Sequence, residues 1–160
     1  MSSSFTIFLA DDADTASLGE TLARHLIPGD TVLLEGQIGA GKSHLARAAI
    51  KHLARLRGLP EPEVPSPTFT LIQTYDLGST TVWHADLYRL GDASELIELG
   101  FDDALQQDIV LVEWPDRMSF APKDALSVHL VVQDQSRTAT LSCQTDRWQG
   151  LQNDLASEDA

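Results

Sequence analysis

The segment Gly36-Gln37-Ile38-Gly39-Ala40-Gly41-Lys42-Ser43 fits the pattern G-x-x-x-x-G-K-[ST] in full, and no other feature of the chain restricts its fold so tightly. Before it stands a compact apolar run, Thr31 to Glu35, that reads as a strand; after it Leu45, Ala49, Leu53 and Leu56 recur on one face of a helix. Glycines at 36, 39 and 41 allow backbone conformations closed to other residues, so successive N–H groups can turn inward around a small anion. A helix starting near Lys42 adds the positive end of its dipole. Strand, glycine-rich loop and helix in this order build a phosphate cradle, so ATP or GTP is the expected ligand. Lys42 can then reach the β and γ phosphates as a mobile charge, and the Ser43 hydroxyl can take one position on Mg²⁺. A plain glycine turn before an amphipathic helix is the competing reading, and the match of both flanks weighs against it.

The other elements follow from periodicity and turn residues. Phe5 to Leu9 is β-prone, Asp11 to Thr15 offers helix N-caps, and Leu18, Leu22 and Leu26 are spaced by four. Pro60, Pro62, Pro65 and Pro67 make residues 58–67 a loop. Strands are expected at Phe69 to Tyr75, Thr81 to Asp86 and Ile109 to Glu113, with a turn at Gly78 and one helical stretch from Ser94 to Gln107. Leu126 to Val132 and Thr138 to Ser142 read as a hairpin across a Gln133 to Arg137 turn, followed by a short helix and a polar tail. The expectation is one α/β domain over residues 1–160, ordered from about 5 to 150. It is a three-layer sandwich of the P-loop NTPase kind, with a largely parallel sheet and an antiparallel edge hairpin.

Composition narrows the function. With 11 basic residues against 24 acidic ones and a net charge of −13, tight direct binding to RNA or DNA is not expected. No apolar stretch approaches the roughly 20 residues of a membrane span, and no basic flank precedes the patch from Phe5 to Ala10 as a secretory signal requires. Cys143 is the only cysteine, so no intrachain disulfide or cysteine metal cluster can form. A cytoplasmic location is expected.

Phosphoryl chemistry needs a metal anchor and a group to place the attacking water, both drawn from strand ends beside the loop. Glu113 follows four apolar residues, Ile109 to Val112, in a Walker-B-like arrangement. Asp86 ends a strand whose alternation sets Trp83 and Ala85 on one face and His84 and Asp86 on the other. His84, with no second histidine nearby and no cysteine, reads as a hydrogen-bonded structural residue, or one that positions Asp86. Arg89 reads equally as a charge stabiliser or a surface ion-pair partner. Thr68, in Ser66-Pro67-Thr68-Phe69, lies where a nucleotide-sensing switch would sit, and Trp114 could stack on a base, on a partner or in the core.

Five segments together form a larger pattern: Gly-Ala-Gly-Lys-Ser at 39–43, Ser-Pro-Thr-Phe-Thr-Leu at 66–71, His-Ala-Asp-Leu-Tyr-Arg-Leu at 84–90, Glu-Leu-Gly-Phe-Asp-Asp at 98–103 and Glu-Trp-Pro-Asp-Arg at 113–117. In order and spacing they resemble the TsaE (YjeE) family from about Ala13 to Arg137. The resemblance implies a small bacterial ATPase with ATP and Mg²⁺ as cofactors, needed to form N6-threonylcarbamoyladenosine at position 37 of tRNAs that read codons beginning with A. It further implies that the ATPase binds the heterodimer of the transferase and its inactive paralogue (TsaD and TsaB). ATP hydrolysis then resets that complex, and tRNA is met only indirectly. The family pattern puts Lys42 on the phosphates, Ser43 and Glu113 on Mg²⁺, Thr68 in the switch loop and Asp86 near the γ-phosphate. The nucleotide contacts would run from Gly36 through Gln37, Ile38, Gly39, Ala40, Gly41, Lys42 and Ser43 to His44, with Asp12, Trp114 and Arg137 near it. Gln37, Ile38 and Ser43 stand where the family loop often has Asp, Leu and Thr, and Ser43 keeps the hydroxyl. A small-molecule kinase and a nucleotide-gated adaptor are the alternatives, distinguished by phosphate transfer to a metabolite and by binding without hydrolysis.

Overall fold

Apolar runs that lack alternation belong in strands covered on both faces, and alternating ones in strands covered on one. The computed structural model, which describes residues 3–67 and 70–158, separates its strands in just this way. Chain order is β1 (Ser3–Leu9), α1 (Asp12–Ala23), β2 (Thr31–Gly36), α2 (Lys42–Leu56), β3 (Ile72–Asp76), β4 (Thr81–Asp86), α3 (Ser94–Glu98) and α4 (Phe101–Gln107). Then come β5 (Ile109–Glu113), a 3₁₀ turn at Pro115–Arg117, β6 (Leu126–Gln133), β7 (Ser136–Cys143) and α5 (Gln149–Glu158). The strands form one seven-stranded sheet in the order β1-β7-β6-β2-β5-β4-β3.

The four central strands β6, β2, β5 and β4 run parallel, and the antiparallel pairings flank them on both sides: β6 with β7 and β7 with β1 at one edge, β4 with β3 at the other. The expected hairpin at one edge is therefore joined by a second one, β3–β4, whose tight connection around Gly78 leaves no room for the crossover a parallel pair needs. On one side of the sheet, Val32, Leu34, Leu111 and Leu130 pack with Leu22 of α1, Leu45, Ile50 and Leu53 of α2, and Leu151 and Leu155 of α5. On the other, Leu33, Ala85, Val110 and Val112 meet Leu96, Phe101 and Leu105 of α3 and α4. That second cover ends at β2, so the same side of β6, β7 and β1 presents mostly small polar residues such as Thr6, Ser127 and Thr140.

Local chemistry explains most element ends. The Asp11 carboxylate caps α1 by accepting from the Asp14 N–H at 3.0 Å. Residues 94–107, expected as one helix, form two, because Gly100 turns left-handed (φ 81°) between them. That break points Phe101 and Leu105 into the core while leaving Ile97 and Leu99 outside. Leu56, placed on the buried face of α2 by its spacing, is 53% exposed at the last turn. Of the strand expected from Phe69 to Tyr75, Phe69 lies outside the described residues, Thr70 and Leu71 (φ 69°) form a turn, and β3 begins at Ile72. Where a short helix and polar tail were expected, α5 continues to Glu158 and seats Leu151 and Leu155. Among the described residues, no helix is long and apolar enough to cross a membrane.

Candidate active site

At the carboxyl ends of the parallel strands, β2 delivers the chain into the glycine loop and α2 leaves it at Lys42. Gly36, Gly39 and Gly41 all have positive φ, at 145°, 84° and 105°. At Gly36 the demand is steric as well: a Cβ there would lie 2.6 Å from the Leu130 carbonyl oxygen of the neighbouring strand. Gly36→Ala is expected to cost about 2–4 kcal/mol, from backbone strain and the clash together, read as a lowered denaturation midpoint with weakened nucleotide binding.

The Lys42 ammonium is folded back into the loop. It donates to the carbonyls of Gly36 and, at 3.2 Å, Gln37, and it sits 3.8 Å from the centroid of the Trp114 ring. Burial pushes its pKa below the ordinary value of 10.5, opposed by the carboxylates of Glu113, Asp86 and Asp116. The polyphosphate of a bound nucleotide would add negative charge and favour the ammonium further. Trp114 reaches this position through a left-handed backbone (φ 60°, ψ 55°), a strained conformation for a large side chain and of the kind concentrated at functional sites. Tyr88 packs against it with ring centroids 4.9 Å apart.

Next along α2, the Ser43 hydroxyl donates to the Glu113 carboxylate, with both oxygens at 2.9 Å. Glu113 Oε2 also lies 2.7 Å from His84 Nε2, and both side chains are buried. A carboxylate can only accept, so Nε2–H is the donor in this bond, and His84 Nδ1 is left buried with no hydrogen-bond partner among the described residues. His84 thus positions Glu113, not Asp86. The parallel register sets Asp86 directly beside Glu113, and Asp86 Oδ1 accepts from the Tyr88 N–H at 3.0 Å.

Lys42, Ser43, Asp86, Tyr88, Glu113 and Trp114 line one cleft of about 550 Å³, together with Asp12, Ile38, His44 and Arg137, while His84 stands behind Glu113. His44 Nε2–H donates to the Asp12 carbonyl at 3.0 Å. Arg137 donates to the Gly39 carbonyl at 3.1 Å and lies 3.5 Å from Asp12 Oδ1, while its buried Nε has no partner among the described residues. Gly36 and Gln37 stand behind the lining and act through their carbonyls on Lys42. Thr68, the expected switch residue, lies outside the described residues. Sequence reasoning missed Arg47, which lines the cleft one helical turn beyond Ser43 and donates to the Val64 carbonyl at 2.9 Å. Its i+4 spacing from Ser43 was the available signal. A cleft of similar size, about 510 Å³, opens between Ser3, Lys123 and Ser142, and among the described residues no acidic side chain lines it.

The donors suit a hard cation bound together with its ligand. Ser43 and Glu113 offer only oxygens, and among the described residues no group of three or more His, Cys, Asp or Glu side chains is placed to hold an ion. Mg²⁺ commonly takes one or two protein ligands and completes its shell with water and phosphate.

The chain is 37% identical to a tRNA threonylcarbamoyladenosine biosynthesis protein TsaE of Rickettsia felis, over 82% of this chain and 75% of that one. It is 39% identical to one from Nostoc sp. (85% and 84% covered) and 32% identical to one from Bacillus subtilis (91% and 90% covered). The crystal structure of Bacillus subtilis YdiB superposes with a TM-score of 0.73 at 25% identity, covering 100% of this chain and 99% of that one. The family model described as threonylcarbamoyl adenosine biosynthesis protein TsaE matches residues 9–140, and a chain that carries that match across the whole loop, both strand-end acids and Arg137 belongs to the TsaE family.

Proposed function

We propose that this protein is a Mg²⁺-dependent ATPase that acts in forming threonylcarbamoyladenosine at position 37 of tRNAs reading codons that begin with A. It works on the transferase heterodimer (TsaD and TsaB) and does not itself carry the threonylcarbamoyl group. The observation that carries the reading is the unbroken row of His84, Glu113 and Ser43 beside Lys42 at the mouth of the glycine loop. Mg²⁺ held by Ser43 and Glu113 would neutralise phosphate charge.

The chain's own groups supply the rest. Amides of the glycine loop and Lys42 would bind the β and γ phosphates and stabilise the charge that spreads over them as the γ-phosphoryl group is transferred to water. Glu113 has its oxygens engaged by Ser43 and His84, which suits a fixed anchor. Asp86, buried one strand over, lines the same cleft beside Glu113 and is the carboxylate that would accept a hydrogen bond from the attacking water and align it. Trp114 and Tyr88 form an apolar wall that keeps bulk water from the reacting phosphate. Arg137 and Asp12 border the cleft where the nucleoside end would lie. The net charge of −13 suits a protein that leaves RNA contact to its partner.

Depletion of the protein in its own organism is expected to remove threonylcarbamoyladenosine from bulk tRNA, measured by nucleoside mass spectrometry. Wild-type protein restores it and Lys42→Ala does not. Unchanged tRNA after depletion would refute the assignment to this modification.

A further inference from the structure

Beside the cleft, on the outer side of α3 and α4, the surface is apolar at its centre and acidic around it. Ile97, Leu99 and Phe120 are 62%, 49% and 58% exposed. Ile97 and Phe120 share a shallow groove floored by Leu96, Phe101 and Leu105. Water-facing apolar side chains grouped this way mark interaction sites more often than lone ones do. Asp102 lines the groove, and Asp92, Glu95, Glu98, Asp103 and Asp116 on the same two stretches of chain are all exposed. Arg117 is the single base in residues 91–120, and it donates to the Leu90 carbonyl at 3.3 Å.

From this juxtaposition we infer that the face formed by Ile97 and Phe120 docks a protein partner with an apolar centre and a basic margin. The inference rests on the proposed function, in which that partner is the transferase heterodimer. Charge argues against the other occupants. A second copy of this chain would set acidic margin against acidic margin, and nucleic acid or an anionic bilayer would bring more negative charge to the same place.

The position of the face gives docking a route to the nucleotide. Two segments build it, one leaving β4 through Asp86, Tyr88 and Leu90 into α3, the other leaving β5 through Trp114 to Phe120. They are joined by the Tyr88–Trp114 ring contact and by the Arg117–Leu90 hydrogen bond. A partner seated on Ile97 and Phe120 therefore bears on the same two segments that hold Asp86 and Trp114 at the cleft. The other exposed sheet side, on β1, β7 and β6, offers Phe8 and Val131 as its exposed large apolar side chains among the described residues, set among serines, threonines and His129.

The test is a binding titration of the full-length protein with the purified transferase heterodimer of the same organism, in Mg²⁺ and a non-hydrolysable ATP analogue. Ile97→Asp and Phe120→Ser are each expected to weaken the complex at least about 10-fold. The double reversal Glu95→Lys with Asp102→Lys should weaken it and flatten its salt dependence, while Phe8→Ser should stay within about twofold of wild type. Nucleotide affinity of every isolated variant should be unchanged, which also reports that it is folded. Because Ile97 and Phe120 lie on different segments, local damage to α3 would not produce both losses. Wild-type affinity in both apolar variants, or a loss in Phe8→Ser alone, overturns the docking face while leaving the proposed function intact. No complex with the wild-type protein overturns the proposed function and this face together.

Discussion

Lys42→Ala is expected to bind an ATP analogue at least about 100-fold more weakly than wild type, since each hydrogen bond to a charged group contributes about 1.5–3 kcal/mol and the ammonium can make two to a triphosphate. The loss should be larger for ATP than for ADP, because the γ-phosphate supplies one of those contacts. Stability should change little: Gly36 is only half-buried and Gln37 is exposed, so water can reach the carbonyls that the substitution releases. Calorimetric titration checks the affinity and thermal denaturation checks the fold. Equal affinity in the two proteins would remove Lys42, and with it the cradle, from the mechanism.

The second large effect is expected at Glu113. Glu113→Ala should lower ATP turnover by about 10²–10³-fold, the range for deleting one preorganised electrostatic group at a reacting centre. It should also destabilise the fold by about 1–3 kcal/mol, because the buried His84 N–H loses its acceptor. Two companions separate chemistry from folding. Glu113→Gln keeps the shape and can still accept from His84, so its stability should recover while the Mg²⁺ requirement is altered. His84→Gln keeps an N–H donor toward Glu113 and should be milder than His84→Leu in the Mg²⁺ concentration needed for half-maximal activity. Hydrolysis at the wild-type rate in Glu113→Ala would move the metal anchor elsewhere, with Asp86 the next group to test.

How far the site can be read from sequence differs from residue to residue. Gly36 to Ser43 is legible because its chemistry is local: glycines, lysine and hydroxyl act through backbone turns within one short segment. Glu113 and Asp86 are legible as strand-end acids, since an apolar run that stops at a carboxylate puts that group at the sheet's rim. The partner of His84 is not. Alternation places His84 on the same side of β4 as Asp86, but which carboxylate it meets depends on the register of β4 against β5, and the bond goes across to Glu113. The break at Gly100 was also visible as a residue and not as an event, because one glycine within a helical pattern becomes a break only when packing rewards it. Here the reward is the seating of Phe101 and Leu105 beneath the sheet.

By itself, then, the amino-acid order determined what depends on neighbours in the chain: the glycine loop, its flanking strand and helix, the alternating strands of the late hairpin and the acids that end β4 and β5. The tertiary structure alone decided what depends on residues far apart in sequence. It set Arg137 over the loop from the opposite end of the chain, bent Trp114 through a left-handed backbone onto Lys42, and paired His84 with Glu113. It also left Ile97 and Phe120 together at the surface. The physical reason is range: backbone preference and periodicity act over a few residues, whereas strand register and the fit of distant side chains are settled only when the whole sheet closes on its helices.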